Sequence, residues 1–435
     1  VSISKDESGG TIYRWTRWTV VAVLTALLVL PAAPLAMGAE TAAGGDGQRN
    51  EEEQTEAIKP PVLQSEAAIL IDARSGMAIF EKNETERLYP ASITKIVTAI
   101  VALENSDVSD LVTVSKEARR EEGTRVYLEE GEQMTMWQLL QGLMVNSGND
   151  AATAIAEHID GSKEKFAERM TTFVREKAGA MHSQFRNPHG LPDEEHYTTA
   201  EDMARIARYA MGNEQFREIV GTKKVAWNGQ TWQTTLVNHN KLLATYEGAT
   251  GIKNGFTQAA GSTLVASAKR DGMELIGVIL KAPSTNQIYK EMRSLLDYGF
   301  AAFEPKLLFD ENESYRMDGM PSVAYTAEEP IWSVVPKGET PKIIVDTTGV
   351  VRILTSRGVK EAGRFQVSHD DPEVRALSSD ARAMAGEEAK MPDADEGRSN
   401  GTMIGTIVAF CLLAAAGGAL YVYQWRRRGK MSEPL

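Results

Sequence analysis

The sequence predicts an α+β fold: an antiparallel sheet flanked by helices, then a small all-β domain, then a C-terminal transmembrane helix. Three observations predict it. Two hairpin patterns bracket a helical middle. "AAILIDARSGMAIFEKN" reads as two short strands around Arg74-Ser75-Gly76, and "GSTLVASAKRDGMELIGVILKAP" as a second hairpin turning at Asp271-Gly272. Strands at both ends with helices between them place the N- and C-terminal strands in one sheet. After Phe303 the pattern changes to alternation with frequent turn residues and no long helix, which predicts the all-β domain. Last, Met403–Tyr423 is apolar and uncharged, and roughly 20 such residues at ~1.5 Å rise span the ~30 Å hydrocarbon core of a bilayer.

The elements follow in order. Arg14 and Arg17 precede the apolar run Trp18–Leu30, and Ala36-Met37-Gly38 is a small-x-small cleavage pattern, so residues 1–38 read as a secretory signal peptide. Residues 39–60 have linker composition. The folded part starts with the first hairpin, giving a first, α+β domain over 61–304. "YPASITKIVTAI" opens a buried helix with Ile93, Val97, Ile100 and Val101 on one apolar face. Met136–Ile159 is helical by period, with an interruption at Ser147-Gly148-Asn149. "TNQIYKEMRSLLDYGFAAF" is a closing amphipathic helix. The all-β domain occupies 305–376, an acidic linker 377–402 and the membrane helix 403–423. The basic tail 424–435, with Arg426, Arg427, Arg428 and Lys430, fixes that end in the cytoplasm. The expected localisation is therefore the cell membrane, single-pass, with the folded domains on the extracellular face.

Composition narrows the function. The 435 residues are 42% hydrophobic and 25% charged, ordinary for globular domains. A formal net charge of −13 argues against a nucleic-acid partner. The single cysteine, Cys411, lies in the apolar run, so no disulfide framework forms within one chain. The six histidines show no metal-ligand spacing, and no cofactor and no metal are expected.

Three short patterns could carry chemistry. Ser92 and Lys95, at i and i+3, share a helix face at the mouth of an apolar helix. A serine hydroxyl is a poor nucleophile until a base takes its proton, and a lysine can be that base where desolvation and nearby positive charge lower its pKa. The structural alternative is that Ser92 caps the helix and Lys95 snorkels to water. Ser147-Gly148-Asn149 could present a hydroxyl and an amide into a cleft, or be a connecting turn. Lys253-Asn254-Gly255 opens a strand-like segment where Gly255 lets a ligand approach the backbone, or is a surface turn. Each pattern recurs elsewhere: "SKEK" at Ser162, "STN" at Ser284, "KAG" at Lys177. The information lies in their order and context. His189, in "NPHGLP", reads as a loop histidine that fixes the backbone, since serine and lysine already supply nucleophile and base.

Ser-x-x-Lys, Ser-x-Asn and Lys-x-Gly in this order are the motif set of penicillin-binding proteins and serine β-lactamases. With "LLQGLMVNSGNDAA", "NPHGLPDEEHYTTAEDMARIARYAM" and "AAGSTLVASA", the chain resembles the low-molecular-mass D-alanyl-D-alanine carboxypeptidases over roughly 60–370. The resemblance implies a DD-peptidase/β-lactamase-like catalytic domain. It also implies a serine-type carboxypeptidase that removes the terminal D-alanine from peptidoglycan stem peptides through an acyl-enzyme and binds β-lactam antibiotics. It makes Ser92 the nucleophile, Lys95 its proton acceptor and Ser147 the proton relay to the leaving amine. Asn149 would hydrogen-bond the substrate peptide, and Lys253 would place positive charge near its carboxylate. The backbone N–H groups of Ser92 and Phe256 would form the oxyanion hole, with Thr257 a carboxylate contact. One position departs from the family: Asn254 stands where threonine is usual, which puts turnover rate and substrate preference in question. Two alternatives use the same residues or fewer of them: a DD-endopeptidase acting on crosslinks, and a catalytically weakened wall-binding protein. A β-lactamase is disfavoured because no Glu-x-x-Leu-Asn signature lies between Asn149 and Lys253.

Overall fold

The computed structural model of the chain describes residues 58–317 and 323–369. Its centre is a five-stranded antiparallel sheet. The strand order is Ala78–Lys82, Ala67–Asp72, Met273–Ala282, Gly261–Arg270, Ala249–Thr257. The first hairpin thus lies against the last, with Ile69 opposite Val278 and Ile71 opposite Ile276. The long hairpin turns where expected: Asp271 and Gly272 both have positive φ, 47° and 80°, the backbone a two-residue primed turn demands.

Alternation along the strands sorts the side chains into two cores. Ile69, Ile71, Val265, Ile276, Val278 and Leu280 face one way, into a core shared with the helices of residues 95–221. Leu70, Leu264, Ala266, Leu275 and Ile279 face the other way, onto the Thr285–Ala302 helix. The Lys95–Asn105 helix is buried on all sides from Lys95 to Ala102, as expected of a helix apolar all round, and it packs against the Met136–Val145, Asn149–Asp160, Lys163–Ala178 and Ala200–Ala210 helices. A Thr135–Gln138 capping box starts the Met136 helix.

From Phe303 onward the described residues are strands and turns. Phe303–Phe309 pairs with Ile331–Pro336, and Lys342–Val345, Val350–Thr355 and Gly358–Arg364 form a three-stranded meander. This all-β region is attached to the first hairpin and the closing helix. Val334, Val335 and Ile353 join the second core, Lys360 pairs with Glu81 at 2.7 Å, and the Arg357 guanidinium donates to Tyr298 Oη at 3.1 Å. Among the described residues no helix is long and apolar enough to cross a membrane. The signal peptide, both linkers and the membrane helix read from the sequence lie outside the described residues.

Candidate active site

Ser92 does not cap the helix. It sits on a 3-10 turn, Ala91–Thr94, and the α-helix begins at Lys95. Ala91 enters this turn with φ of 51°, a left-handed conformation that costs energy for a residue with a Cβ. Two glycines press on the turn. A Cβ on Gly190 would land on the Ala91 carbonyl, and one on Gly255 would come within 2.7 Å of the Ser92 backbone nitrogen and 2.6 Å of Thr263 Oγ1. Thr263 in turn donates to the Pro90 carbonyl at 2.8 Å. The third motif is therefore laid directly along the Ser92 amide. Gly255→Ala is expected to displace that amide and lower kcat/KM about 10²-fold or more, the typical cost of one oxyanion donor; steady-state kinetics beside a thermal melt check it.

The Lys95 side chain is fully buried. Its Nζ lies 3.1 Å from Ser92 Oγ, 2.7 Å from Asn149 Oδ1 and 2.8 Å from the His189 carbonyl. Burial and then the charge of Lys253 hold its pKa well below the usual lysine value, against the opposing pull of Asp150 and Glu121. A neutral amine has two hydrogens and one lone pair. Asn149 Oδ1 and the His189 carbonyl take the two hydrogens, which leaves the lone pair for the Ser92 hydroxyl.

Asn149 is committed at both ends, since its Nδ2 donates to the Glu122 carbonyl at 2.6 Å. Its neighbour Ser147 is buried and has φ of 66°, so the break between the two helices is a strained, fixed turn. Lys253 is buried, with its Nζ 2.9 Å from the Asn254 carbonyl and 3.4 Å from Asn254 Oδ1; burial pushes its pKa down to about 7. Phe256 is 62% exposed on the far side of the strand. Thr257 Oγ1 accepts from the Ala260 N–H at 3.0 Å, leaving its hydroxyl hydrogen to donate. The fold thus brings the three motifs together, Lys95 to Asn149 and Gly255 to the Ser92 amide, from the turn that opens the first buried helix, the turn between two helices and the edge strand of the sheet.

The repeats of these motifs do ordinary work. Ser162 and Ser284 cap helices, accepting from Lys165 and Gln287 N–H groups, and Gly179 is a left-handed C-cap. His189 holds its loop: its Nδ1 accepts from the Leu191 N–H at 3.2 Å, and its Nε2 lies 3.4 Å from Glu121 Oε1. Burial would raise the Glu121 carboxyl, but His189, Thr153 and Lys163 outweigh it and hold it at about 2. Among the described residues no group of three or more His, Cys, Asp or Glu side chains could hold a metal ion.

Asp150, next to the second motif, is a further residue that shapes the site. Its buried carboxylate accepts from the Val126 and Leu128 N–H groups at 3.0–3.1 Å and from Ala151 N–H at 2.9 Å. It pins the loop whose Glu122 carbonyl anchors Asn149. An aspartate beside the second motif was visible in the sequence, but the Val126 and Leu128 amides it holds lie more than twenty residues upstream.

A buried lysine aimed at a serine on a strained turn beside an antiparallel sheet defines a serine acyl-transfer site of the penicillin-binding type. The sequence family described as D-alanyl-D-alanine carboxypeptidase matches residues 54–284, and the chain belongs to that family. It is 34% identical over 331 residues to the D-alanyl-D-alanine carboxypeptidase DacF of Bacillus subtilis, covering 73% of this chain and 81% of that one. It is 30% identical over 303 residues to DacD of Escherichia coli, covering 66% and 77%. Among solved structures, penicillin binding protein 5 from Haemophilus influenzae superposes with a TM-score of 0.64 at 28% identity, over 72% of this chain and 99% of that one.

Proposed function

We propose that this chain is a serine-type D-alanyl-D-alanine carboxypeptidase that trims peptidoglycan stem peptides and is acylated by β-lactams. The observation that carries the reading is the Lys95 amine, fully buried and 3.1 Å from Ser92 Oγ. Neutral Lys95 takes the Ser92 proton as Oγ attacks the carbonyl of the penultimate D-alanine. The Ser92 and Phe256 N–H groups face the developing oxyanion, the kind of preorganised donor that is worth about 2.7–4 kcal/mol each. Ser147 passes the proton to the departing amine, and the C–N bond breaks to release D-alanine. Water then attacks the acyl-enzyme, and Ser92 is regenerated with its proton. Lys253 supplies the charge opposite the substrate carboxylate. Asn254 places an amide where the family usually has a hydroxyl. Restoring threonine there tests the wall-binding alternative, which a large gain in turnover favours.

The reading extends to placement. The leader pattern, the Met403–Tyr423 apolar run and the cations after it support a protein exported and tethered by its C-terminus, working on the outer face of the plasma membrane. The all-β region, 305–376 by sequence, would then hold the catalytic domain off the membrane.

Two lysines set the expected pH profile of kcat/KM, which reports the free enzyme. Activity needs Lys95 neutral, so it falls on acidification as Lys95 gains a proton. It needs Lys253 charged, so it falls as pH rises through about 7, where Lys253 loses its proton. Lys253→Arg, which stays charged, is expected to remove the basic limb while the acid limb stays; a profile unchanged by the substitution contradicts this assignment.

Release of D-alanine from N,N-diacetyl-L-Lys-D-Ala-D-Ala, with retention of a bound penicillin over the same period, is the test. Rapid turnover of penicillin without peptide hydrolysis would overturn the reading in favour of a β-lactamase.

A further inference from the structure

We propose that Glu121 is a positioning residue for acyl transfer: its buried carboxylate ties together the segments that hold Lys95, and it supplies fixed negative charge for the proton that Lys95 takes from Ser92. The inference rests on the reading of Lys95 as the base and deepens it.

Glu121 closes the Lys116–Arg120 helix, and its side chain is 9% exposed. Contacts on three other segments hold it. Oε2 accepts from Thr153 Oγ1 at 2.7 Å and from Lys163 Nζ at 3.1 Å. Oε1 faces His189 Nε2 at 3.4 Å. Because His189 Nδ1 accepts from the Leu191 N–H, the proton of the neutral ring sits on Nε2, toward the carboxylate. Three of the four segments joined here also place Lys95. The His189 carbonyl accepts from Lys95 Nζ. Thr153 lies one turn along the helix from Asn149, whose Oδ1 accepts from the same Nζ. The residue after Glu121 supplies the Glu122 carbonyl that anchors Asn149 Nδ2.

Charge gives the carboxylate a second part. The Ser92 proton arrives on an amine buried away from water, where a new positive charge is costly unless opposite charge already stands nearby. Two carboxylates, Asp150 and Glu121, favour the charged form of Lys95, against burial and Lys253. Burial pushes the Asp150 carboxyl up, whereas Glu121 is held at about 2. Glu121 is therefore the one of the two that stays ionised furthest into the acid range. The other charged or titratable groups around it are Glu117, which shares Lys163 at 2.9 Å, Glu157 on the Asn149–Asp160 helix, Lys163 and His189. Those around Lys95 are Lys253, Asp150, Glu121 and the rings of His189 and His239. Burial lowers the pKa of both rings, so both are neutral near pH 7.

The measurement is the second-order rate of penicillin acylation of the full chain against pH, with D-alanine release and a thermal melt beside it. Glu121→Gln keeps the size and reach of the side chain and removes the charge. Its acid limb is expected to move to lower pH, because Lys95 loses an opposite charge that favours its protonated form. Its plateau is expected to fall, because the ammonium formed in the transition state is less stabilised. Glu121→Asp keeps the charge but falls one methylene short of His189. Its acid limb should stay in place while its plateau falls about tenfold or more, within the ~10²-fold that a 1 Å misplacement can cost. His189→Ala should lower the plateau similarly, and adding Glu121→Asp to it should cost little more, as expected of two residues acting through one contact.

A role confined to packing would lower the melting point of Glu121→Gln and leave its acid limb where it was. An acid limb at the wild-type pH or above it therefore overturns the proposal. Losses that multiply in the double variant also overturn it, because the carboxylate would not then act through the ring. Wild-type protein that shows this acylation pattern but releases no D-alanine removes the carboxypeptidase reading and leaves the Glu121 assignment standing. No acylation of the wild type overturns both.

Discussion

Lys95→Met should lower kcat/KM by at least about 10³-fold, within the range a positioned general base supplies. The rate of penicillin acylation should fall in parallel. Methionine nearly fills the same buried volume, so packing is largely kept. The variant loses the lone pair directed at Ser92 Oγ and the donors to Asn149 Oδ1 and the His189 carbonyl. Those two acceptors become unsatisfied at about 1–3 kcal/mol each, partly offset because a titratable amine no longer needs to be buried. The thermal midpoint is therefore expected to move modestly while chemistry collapses. Stopped-flow acylation and a thermal melt on one preparation check both. Acylation at the wild-type rate would remove Lys95 from the role of base.

Asp150→Ala should have the largest effect on stability, about 2–5 kcal/mol. The carboxylate holds the Val126 and Leu128 amides, and each buried donor left without a partner costs about 1–3 kcal/mol. Burial pushes this carboxyl's pKa up, and the backbone hydrogen bonds pull it back, so its value to the fold lies in its acceptors rather than in a solvated charge. Loss of the pin frees the loop that carries the Glu122 carbonyl, and with it Asn149 and the reach of Lys95. Denaturant unfolding should show the lower midpoint. Penicillin labelling should also slow before global unfolding, because the loop loosens first. A variant of wild-type stability would mean that the loop is held by other contacts.

How much of this was legible in the sequence depended on how local the signal was. Both hairpins and the closing helix follow from period and turn chemistry over ten to twenty residues, and they stand where the patterns put them, as at Asp271-Gly272. The three motifs were legible as a set, though none was alone: Ser162 and Ser284 satisfy the same patterns and serve as caps. The 3-10 turn under Ser92 was not legible, because it is imposed by the backbones of Gly190 and Gly255 from distant segments. Asp150 and Glu121 were missed for the same reason. Asp150 holds amides more than twenty residues upstream, and Glu121 faces a histidine further still along the chain, pairings that no local period encodes. The Lys224–Val237 hairpin did carry a local signal, the Asn228-Gly229 turn dipeptide between alternating residues, but its placement beside Asn254 is not encoded locally.

The central claim is that Ser92, and no other serine, carries the acyl group. The most direct measurement is mass spectrometry of the peptides from penicillin-treated protein, with Ser92→Ala treated beside it. The account predicts one adduct, on the peptide containing Ser92-Ile93-Thr94-Lys95, absent in the variant. An adduct on the Ser147 peptide, or an undiminished adduct in Ser92→Ala, would contradict it.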